Sequence, residues 1–338
     1  MRPLFLKYDK YLECQLCPHR CKLQYGKRGI CGVRQNTGEK IELLTYGVVS
    51  GYALDPVEKK PLYHFFPGYK ILSIGSFGCN MRCDFCQNWH ISQKSPGVFS
   101  GDYPPLKIMN DALAADNNIG VAFTYNEPII WFEYVMDVAV MIKEKGFYNV
   151  MVSNGFINKW PLKELTQYID AFNIDLKAFN DDFYRKLTGA ELEPVLDSLR
   201  IIAKAGRHLE ITTLIIPGRN DSEDEMEEEA KWIAGELGEE VPLHLSRYYP
   251  MYKRNDPSTP QSTLDNLYNI ASRHLRYVYM GNTLTGRGQD THCIKCGKLI
   301  TQRTGYSIRN VNSDADGKCL ACGTQVYRYF SFNSPKGH

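Results

Sequence analysis

Cys79, Cys83 and Cys86 put three thiols within eight residues at C-x3-C-x2-C spacing, directly after the apolar run Ile71–Phe77. A four-iron, four-sulfur cube usually takes four thiolates, so a three-cysteine loop would grip three corners and leave one iron open to a small molecule. Structural zinc is normally closed by four protein ligands. His90, four residues past Cys86, could complete a zinc site, but such sites are usually built from two separated ligand pairs. Three inert buried cysteines are a poorer reading still, because thiols this close on a polar loop cannot all face a core.

The other eight cysteines form two further groups, and none of the eleven is left over. Cys293-x2-Cys296 and Cys319-x2-Cys322 are two pairs 22 residues apart, followed by Gly297 and Gly323. That pattern suits the paired metal-binding turns of a zinc ribbon, with Zn2+ stapling a module too small for a large core. Four thiolates can equally hold an auxiliary iron–sulfur cluster. Cys14, Cys17, Cys21 and Cys31, with His19 as a spare ligand, leave zinc, an auxiliary cluster and partial binding all open. Disulfides are not expected in a reducing compartment.

The segment Cys79 to Cys86, with Phe85 before the last cysteine, resembles the C-x3-C-x-aromatic-C motif of the radical S-adenosylmethionine (SAM) superfamily. The resemblance implies that SAM chelates the open iron through its amino and carboxylate groups. Reductive cleavage to methionine and a 5′-deoxyadenosyl radical would then abstract hydrogen from a substrate. Nearly the whole chain is similar to the radical SAM member of the AmmeMemoRadiSam system and to activating enzymes of glycyl-radical enzymes such as pyruvate formate-lyase. The segments that carry this are Cys14-Gln-Leu-Cys17-Pro-His-Arg-Cys21, Asp55-Pro-Val-Glu-Lys-Lys60-Pro-Leu-Tyr-His64, Gly78 to Trp89, Phe123-Thr-Tyr-Asn-Glu127-Pro128, Ser153-Asn-Gly155, Asp175-Leu-Lys177 and Pro217-Gly-Arg-Asn-Asp221.

By that resemblance Asn126 and Glu127 stand where the family often has Gly-Gly-Glu facing the SAM ammonium. The glycines are absent, so only the general location carries over. Ser153 and Asn154 match the segment that bonds the SAM carboxylate or ribose, Asp175 and Lys177 the Asp-x-Lys of activating enzymes, and Phe85 the place beside adenine, where an aromatic ring can pack on the base. Plainer readings stand beside these: Asp175 as a structural partner of Lys177, and Ser153-Asn154-Gly155 as an ordinary turn. Activating enzymes carry a His near the end of the sixth strand, whereas here His244 lies inside that strand and Arg247-Tyr248 follow it. The resemblance also implies a reduced flavodoxin or ferredoxin-like electron donor and companionship with Memo-like and Amme-type proteins. Activation of a glycyl-radical enzyme is an alternative within the class.

These residues need elements to position them. Between the outer cysteine groups, β-branched and aromatic runs alternate with segments of helical period. Strands are expected near 71–77, 121–125, 149–153, 171–176, 210–216, 243–246 and 277–280. Leu192, Val195, Leu196, Leu199 and Ile202 lie on one helical face, as do Met226, Ala230, Ile233 and Leu237. Ser222 and Glu225 read as a capping box, and Gly238 as that helix's end. The reading is an α/β fold, a partial (β/α)6-type TIM-like barrel with small Cys-rich modules at both ends. Its parts are residues 1–70, 71–282 and 283–338.

In such folds ligands gather at the carboxyl ends of the strands. Arg219, Arg247 and Tyr248 lie there and could orient a substrate, Arg by bidentate recognition of carboxylate or phosphate; an ion pair with Asp221 is the plain alternative for the arginines. Lys59 to His64 either passes near the open face or is a solvated linker.

With 338 residues, 43% hydrophobic, 23% charged and a net charge of +2, the chain can bury a real core and has no electrostatic reason to bind a polyanion. A zinc-stapled binding module is the rival from another class, but basic residues do not concentrate in any segment. The amino terminus breaks into charges too early for a secretion signal, and no apolar run could span a bilayer, so a soluble cytoplasmic protein is expected. Radical chemistry carried by a cofactor would explain why no catalytic triad or carboxylate pair is visible.

Overall fold

The computed structural model describes residues 3–93, 102–283 and 286–332. Eight strands build one sheet in sequential order: β1 (Gly51–Pro56), β2 (Lys70–Gly75), β3 (Asn118–Phe123), β4 (Tyr148–Ser153), β5 (Ala171–Asp175), β6 (His208–Ile215), β7 (Leu243–Arg247) and β8 (Val278–Gly281). β2 to β8 pair in parallel, and β1 runs antiparallel at the edge. A helix follows each of β2 to β7, the longest being Phe132–Glu144 and Glu223–Glu236. This is a partial β/α barrel with β1 and β8 as its edges, and all seven expected strands are present.

The helices bury the faces that periodicity predicts. Val195, Leu196, Leu199 and Ile202 are buried on Glu193–Lys204, and Met226, Ala230 and Ile233 on Glu223–Glu236. The expected capping box is half made. Ser222 Oγ accepts from the Glu225 N–H at 3.3 Å. The Glu225 carboxylate turns away to accept from Phe179 N and Asn180 Nδ2 at 2.8 and 3.0 Å, because those donors on the neighbouring loop are otherwise orphaned.

Sheet packing leaves no room for a side chain at Gly120. At Gly120 a Cβ would collide with the Tyr148 carbonyl of the paired strand. Gly120→Ala should therefore force β3 and β4 apart and destabilise the protein by about 3 kcal/mol or more, read as a lowered urea midpoint.

The segment before residue 71 departs from the sequence reading in two ways. β1 lies within the segment assigned to the N-terminal module, yet its six residues pair with β2, so the sheet extends past a boundary at 70/71. Nor is the stretch after β1 a solvated linker: Lys60, Leu62 and Phe65 are buried. Glu210 explains this. Its carboxylate accepts from Tyr63 N and His64 N at 3.0 and 2.7 Å, and from His208 Nε2 and His244 Nε2 at 2.9 and 2.6 Å, while Asn173 Nδ2 donates to Pro61 O at 2.8 Å.

Burial would push the Glu210 carboxyl up, but His208 and His244 outweigh it and hold it well below its ordinary range. A depressed carboxylate contributes stability that is present above its unfolded value of 4.5 and fades as pH falls through the lower folded value. Glu210→Gln should cost about 3–5 kcal/mol at neutral pH, and the gap to the native protein should narrow as denaturation is followed below pH 4.5.

The C-terminal strands Thr291–His292, Leu299–Thr304 and Ser307–Asn310 form a small antiparallel sheet keyed into this buried stretch. Arg303, fully buried, donates to Tyr63 O, Gln289 O and Thr291 Oγ1 at 2.9, 3.0 and 2.7 Å and lies 4.2 Å over the Tyr63 ring. Phe65 and Phe66 pack on Tyr329.

Candidate active site

A cavity of about 630 Å3 opens at the carboxyl ends of the strands. Cys79, Cys83 and Cys86 line it, on the loop that follows β2. Asn126, at the end of β3, ties the loop's entry down: its side chain accepts from Ser76 N and donates to Gly78 O, both at 2.9 Å. Sulfur receives its own donors. Met81 N–H and Asn154 Nδ2 point at Cys79 Sγ at 3.3 and 3.7 Å, and Ser92 Oγ lies 3.1 Å from Cys86 Sγ. Burial pushes the Cys83 thiol up to about 12, opposed chiefly by the Lys177 cation.

Three converging thiols, N–H donors aimed at sulfur and a nearby, partly buried cation suit an anionic iron–sulfur cluster held by three residues. His90 does not complete a fourth corner, for it is exposed and absent from the cavity wall.

Glu127 lies on the same wall, almost fully buried. Its carboxylate accepts from Ile129 N, Ser153 Oγ and Asn154 N at 3.0, 2.8 and 2.8 Å, which fastens the end of β3 to the end of β4. Burial raises it to about 7 against these three donors. Where the family pattern has glycine, Tyr125 itself takes the left-handed backbone conformation, φ 71°. Its hydroxyl donates to Asp55 Oδ2 at 2.7 Å, so contacts across the sheet edge hold a conformation that usually needs glycine.

Ser153 and Asn154 are therefore more than a turn: Asn154 Nδ2 also donates to Asn80 Oδ1 at 3.0 Å, beside the first cysteine. Asp175 and Lys177 both line the cavity and pair at 2.9 Å. Burial pulls the Lys177 ammonium down, but Asp175 and the Cys83 thiol outweigh it and hold it above its ordinary value. Phe85, buried, lines the wall next to Phe183, with ring centroids 5.8 Å apart.

Arg219, Arg247 and Tyr248 do not line the cavity. Arg219 is exposed on a turn, the Arg247 guanidinium stacks 5.2 Å over Tyr249, and Tyr248 is buried with its N–H on Thr259 Oγ1 at 2.9 Å. β7 ends at Arg247, and Thr259 then takes the backbone of Tyr248. The deep end is formed instead by buried Lys60, Tyr63, Asn173, Thr212 and His244, with buried Gln289 and exposed Tyr306 added to the wall by the C-terminal segment. Lys60 Nζ pairs with Asp55 Oδ2 at 2.7 Å, and burial lowers it to about 8 against that partner. Of the two readings of Lys59 to His64, passage near the open face is the one found, whereas strand-end reasoning missed Asn173 and Thr212 because they sit mid-strand.

At the C-terminal group the sulfurs of Cys293 and Cys322 lie 3.5 Å apart and those of Cys296 and Cys319 3.6 Å, all four within 4.8 Å. Four thiolates at 2.3 Å from one ion would be about 3.8 Å apart, so the group fits a single tetrahedral ion. Cys14, Cys17, Cys21 and Cys31 line a separate small cavity behind the three-cysteine loop. Among the described residues, no helix is long and apolar enough to cross a membrane.

Residues 73–233 match the family model of the Radical SAM superfamily. An uncharacterized protein of Methanocaldococcus jannaschii is 40% identical over 322 residues, covering 94% of this chain and 96% of that protein. Pyruvate formate-lyase 1-activating enzyme of Escherichia coli is 25% identical over 162 residues, 47% of this chain and 65% of the enzyme. The crystal structure of a radical SAM methyltransferase from Sphaerobacter thermophilus matches in fold with a TM-score of 0.51, at 17% identity over 70% of this chain and 71% of that one.

Proposed function

This chain belongs to the radical SAM superfamily, and on that footing we propose that Cys79, Cys83 and Cys86 hold its [4Fe–4S] cluster and that the strand ends around them hold SAM. The cluster supplies the electron that splits SAM into methionine and a 5′-deoxyadenosyl radical, which abstracts hydrogen from substrate. The observation that carries the assignment is the convergence of three thiols, their N–H donors and Lys177 on one large cavity.

The chain's own residues then divide the work. Glu127 locks Ser153 and Asn154 in place, so the ends of β3 and β4 present a preformed polar surface for the amino acid end of SAM. Asp175 and Lys177 give a charged pair for its polar groups, and Phe85 a flat apolar wall for adenine. We assign substrate to the deep end, where Lys60, Asn173, Thr212 and His244 offer hydrogen bonds, rather than to Arg219, Arg247 or Tyr248. The closed geometry of Cys293, Cys296, Cys319 and Cys322 supports structural Zn2+.

A reduced donor such as flavodoxin or a ferredoxin would deliver the electron, in a reducing cytoplasm that suits eleven free thiols. Similarity to pyruvate formate-lyase 1-activating enzyme supports a second reading, hydrogen abstraction from a protein glycine. Memo-like and Amme-type proteins are proposed companions on the strength of the sequence motifs alone. Anaerobically reconstituted protein given dithionite and SAM should release 5′-deoxyadenosine and methionine in equal amounts; a colourless protein that leaves SAM intact would overturn the proposal.

A further inference from the structure

We propose that Cys14, Cys17, Cys21 and Cys31 hold a second iron–sulfur cluster with four thiolate ligands, back to back with the three-cysteine loop. The four residues line one cavity of about 10 Å3, room for about one water-sized body. Four sulfurs drawn to 2.3 Å from a single zinc would close such a gap, as the C-terminal group's 3.5 and 3.6 Å contacts illustrate. Among the described residues only the C-terminal four thiols gather tightly enough for a single ion, and the looser N-terminal four leave room for a larger centre. Leu16, Leu23 and Ile130 make the remaining wall apolar, so a water would find few partners there.

Arg34 supplies an independent observation. It lines the same cavity at 1% exposure, and its two terminal nitrogens are spent on Glu133 at 2.8 and 2.6 Å. Its Nε–H is buried and has no partner. A buried donor without an acceptor costs about 1–3 kcal/mol, and the sulfurs of an anionic cluster are acceptors of the kind it lacks.

The site also touches the loop it would neighbour. His19 Nε2 lies 2.7 Å from Asn80 O, and Asn80, next to Cys79, is on the cavity wall. A Cβ at Gly78 would collide with the Cys31 carbonyl oxygen, so the backbone entering the loop rests on this group.

The inference does not depend on the SAM assignment, and the test keeps the two apart. In the full-length C79A/C83A/C86A variant, reconstituted anaerobically, about half the native iron and sulfide should remain, with an electron paramagnetic resonance (EPR) signal on reduction that SAM leaves unchanged. Adding Cys17→Ala and Cys21→Ala should remove that remainder. A triple variant with neither iron nor sulfide, or with a second zinc beyond the one at the C-terminal cysteines in their place, would overturn the proposal. The native protein gives a second measurement should the variants not fold. Its Mössbauer spectrum should resolve two cluster sites, only one of them altered by SAM, and a single SAM-responsive site would count against a second cluster.

Discussion

Cys83→Ala will reduce release of 5′-deoxyadenosine from SAM to background while leaving the fold intact. Cys83 sits on a loop, with its backbone placed by neighbours rather than by its own side chain: Arg82 N donates to Thr188 O at 2.7 Å and Asp84 N to Leu187 O at 3.2 Å. Removing the sulfur leaves two thiolates for a cube that needs at least three. Loss of an outer hydrogen-bond partner at a metal site costs about 10–100-fold, so loss of a direct ligand should exceed roughly 100-fold. Asn154→Ala, which removes the donor to Cys79 Sγ and Asn80 and the acceptor of the Phe156 N–H but no direct ligand, should fall inside that smaller range. Product quantification on reconstituted protein, with unfolding midpoints measured alongside, checks both. A Cys83→Ala protein that still cleaves SAM at a tenth of the native rate would mean that the loop's three cysteines do not act together.

Cys319→Ala should do the reverse, lowering soluble yield sharply while the protein that does fold keeps its loop cluster and cleaves SAM. Cys319 is almost fully buried in a module whose core is five residues, Cys293, Ile300, Cys319, Val326 and Tyr327. So small a core cannot hold the module together alone. Binding of structural zinc at about 10–16 kcal/mol is folding energy in such modules. The loss should reach the cavity too, because Gln289, Gly305 and Tyr306 lie on its wall, and a loosened wall weakens substrate binding without touching SAM. Metal analysis of the variant should show zinc lost and iron retained. Equal loss of loop iron in the Cys83 and Cys319 variants would contradict this division.

Much of this was legible in the sequence. The parallel strands were readable because each is a short β-branched run between helices of clear period, and the three-cysteine loop because its spacing constrains its chemistry. β1 was not readable: in Gly51-Tyr-Ala-Leu-Asp-Pro56 exposed Tyr52 and Leu54 alternate with Gly, Ala and Asp, and its strand character comes from pairing with β2.

The site divides along the same line. Residues immediately after strands, Asn126, Glu127, Ser153, Asn154, Asp175 and Lys177, are recoverable from topology, and all of them line the cavity. Glu127 could not be seen to spend its carboxylate on Ser153 and Asn154, since that contact joins separate β/α units. Arg247 and Tyr248 are spent elsewhere, the first stacked on Tyr249 and the second buried with its backbone on Thr259. Tyr63 enters because Glu210, about 150 residues later, captures the backbone N–H groups of Tyr63 and His64, and Lys60 because Asp55 on β1 holds its ammonium.

The central claim is that one iron of the loop's cluster is left for SAM. Electron–nuclear double resonance on the reduced native protein, with SAM labelled by 15N at its amino group and 17O at its carboxylate, tests it directly. Couplings from both labels to the cluster are the expected result. A reduced cluster whose spectrum ignores both labels, with a protein side chain coupled at the fourth iron, would contradict the account.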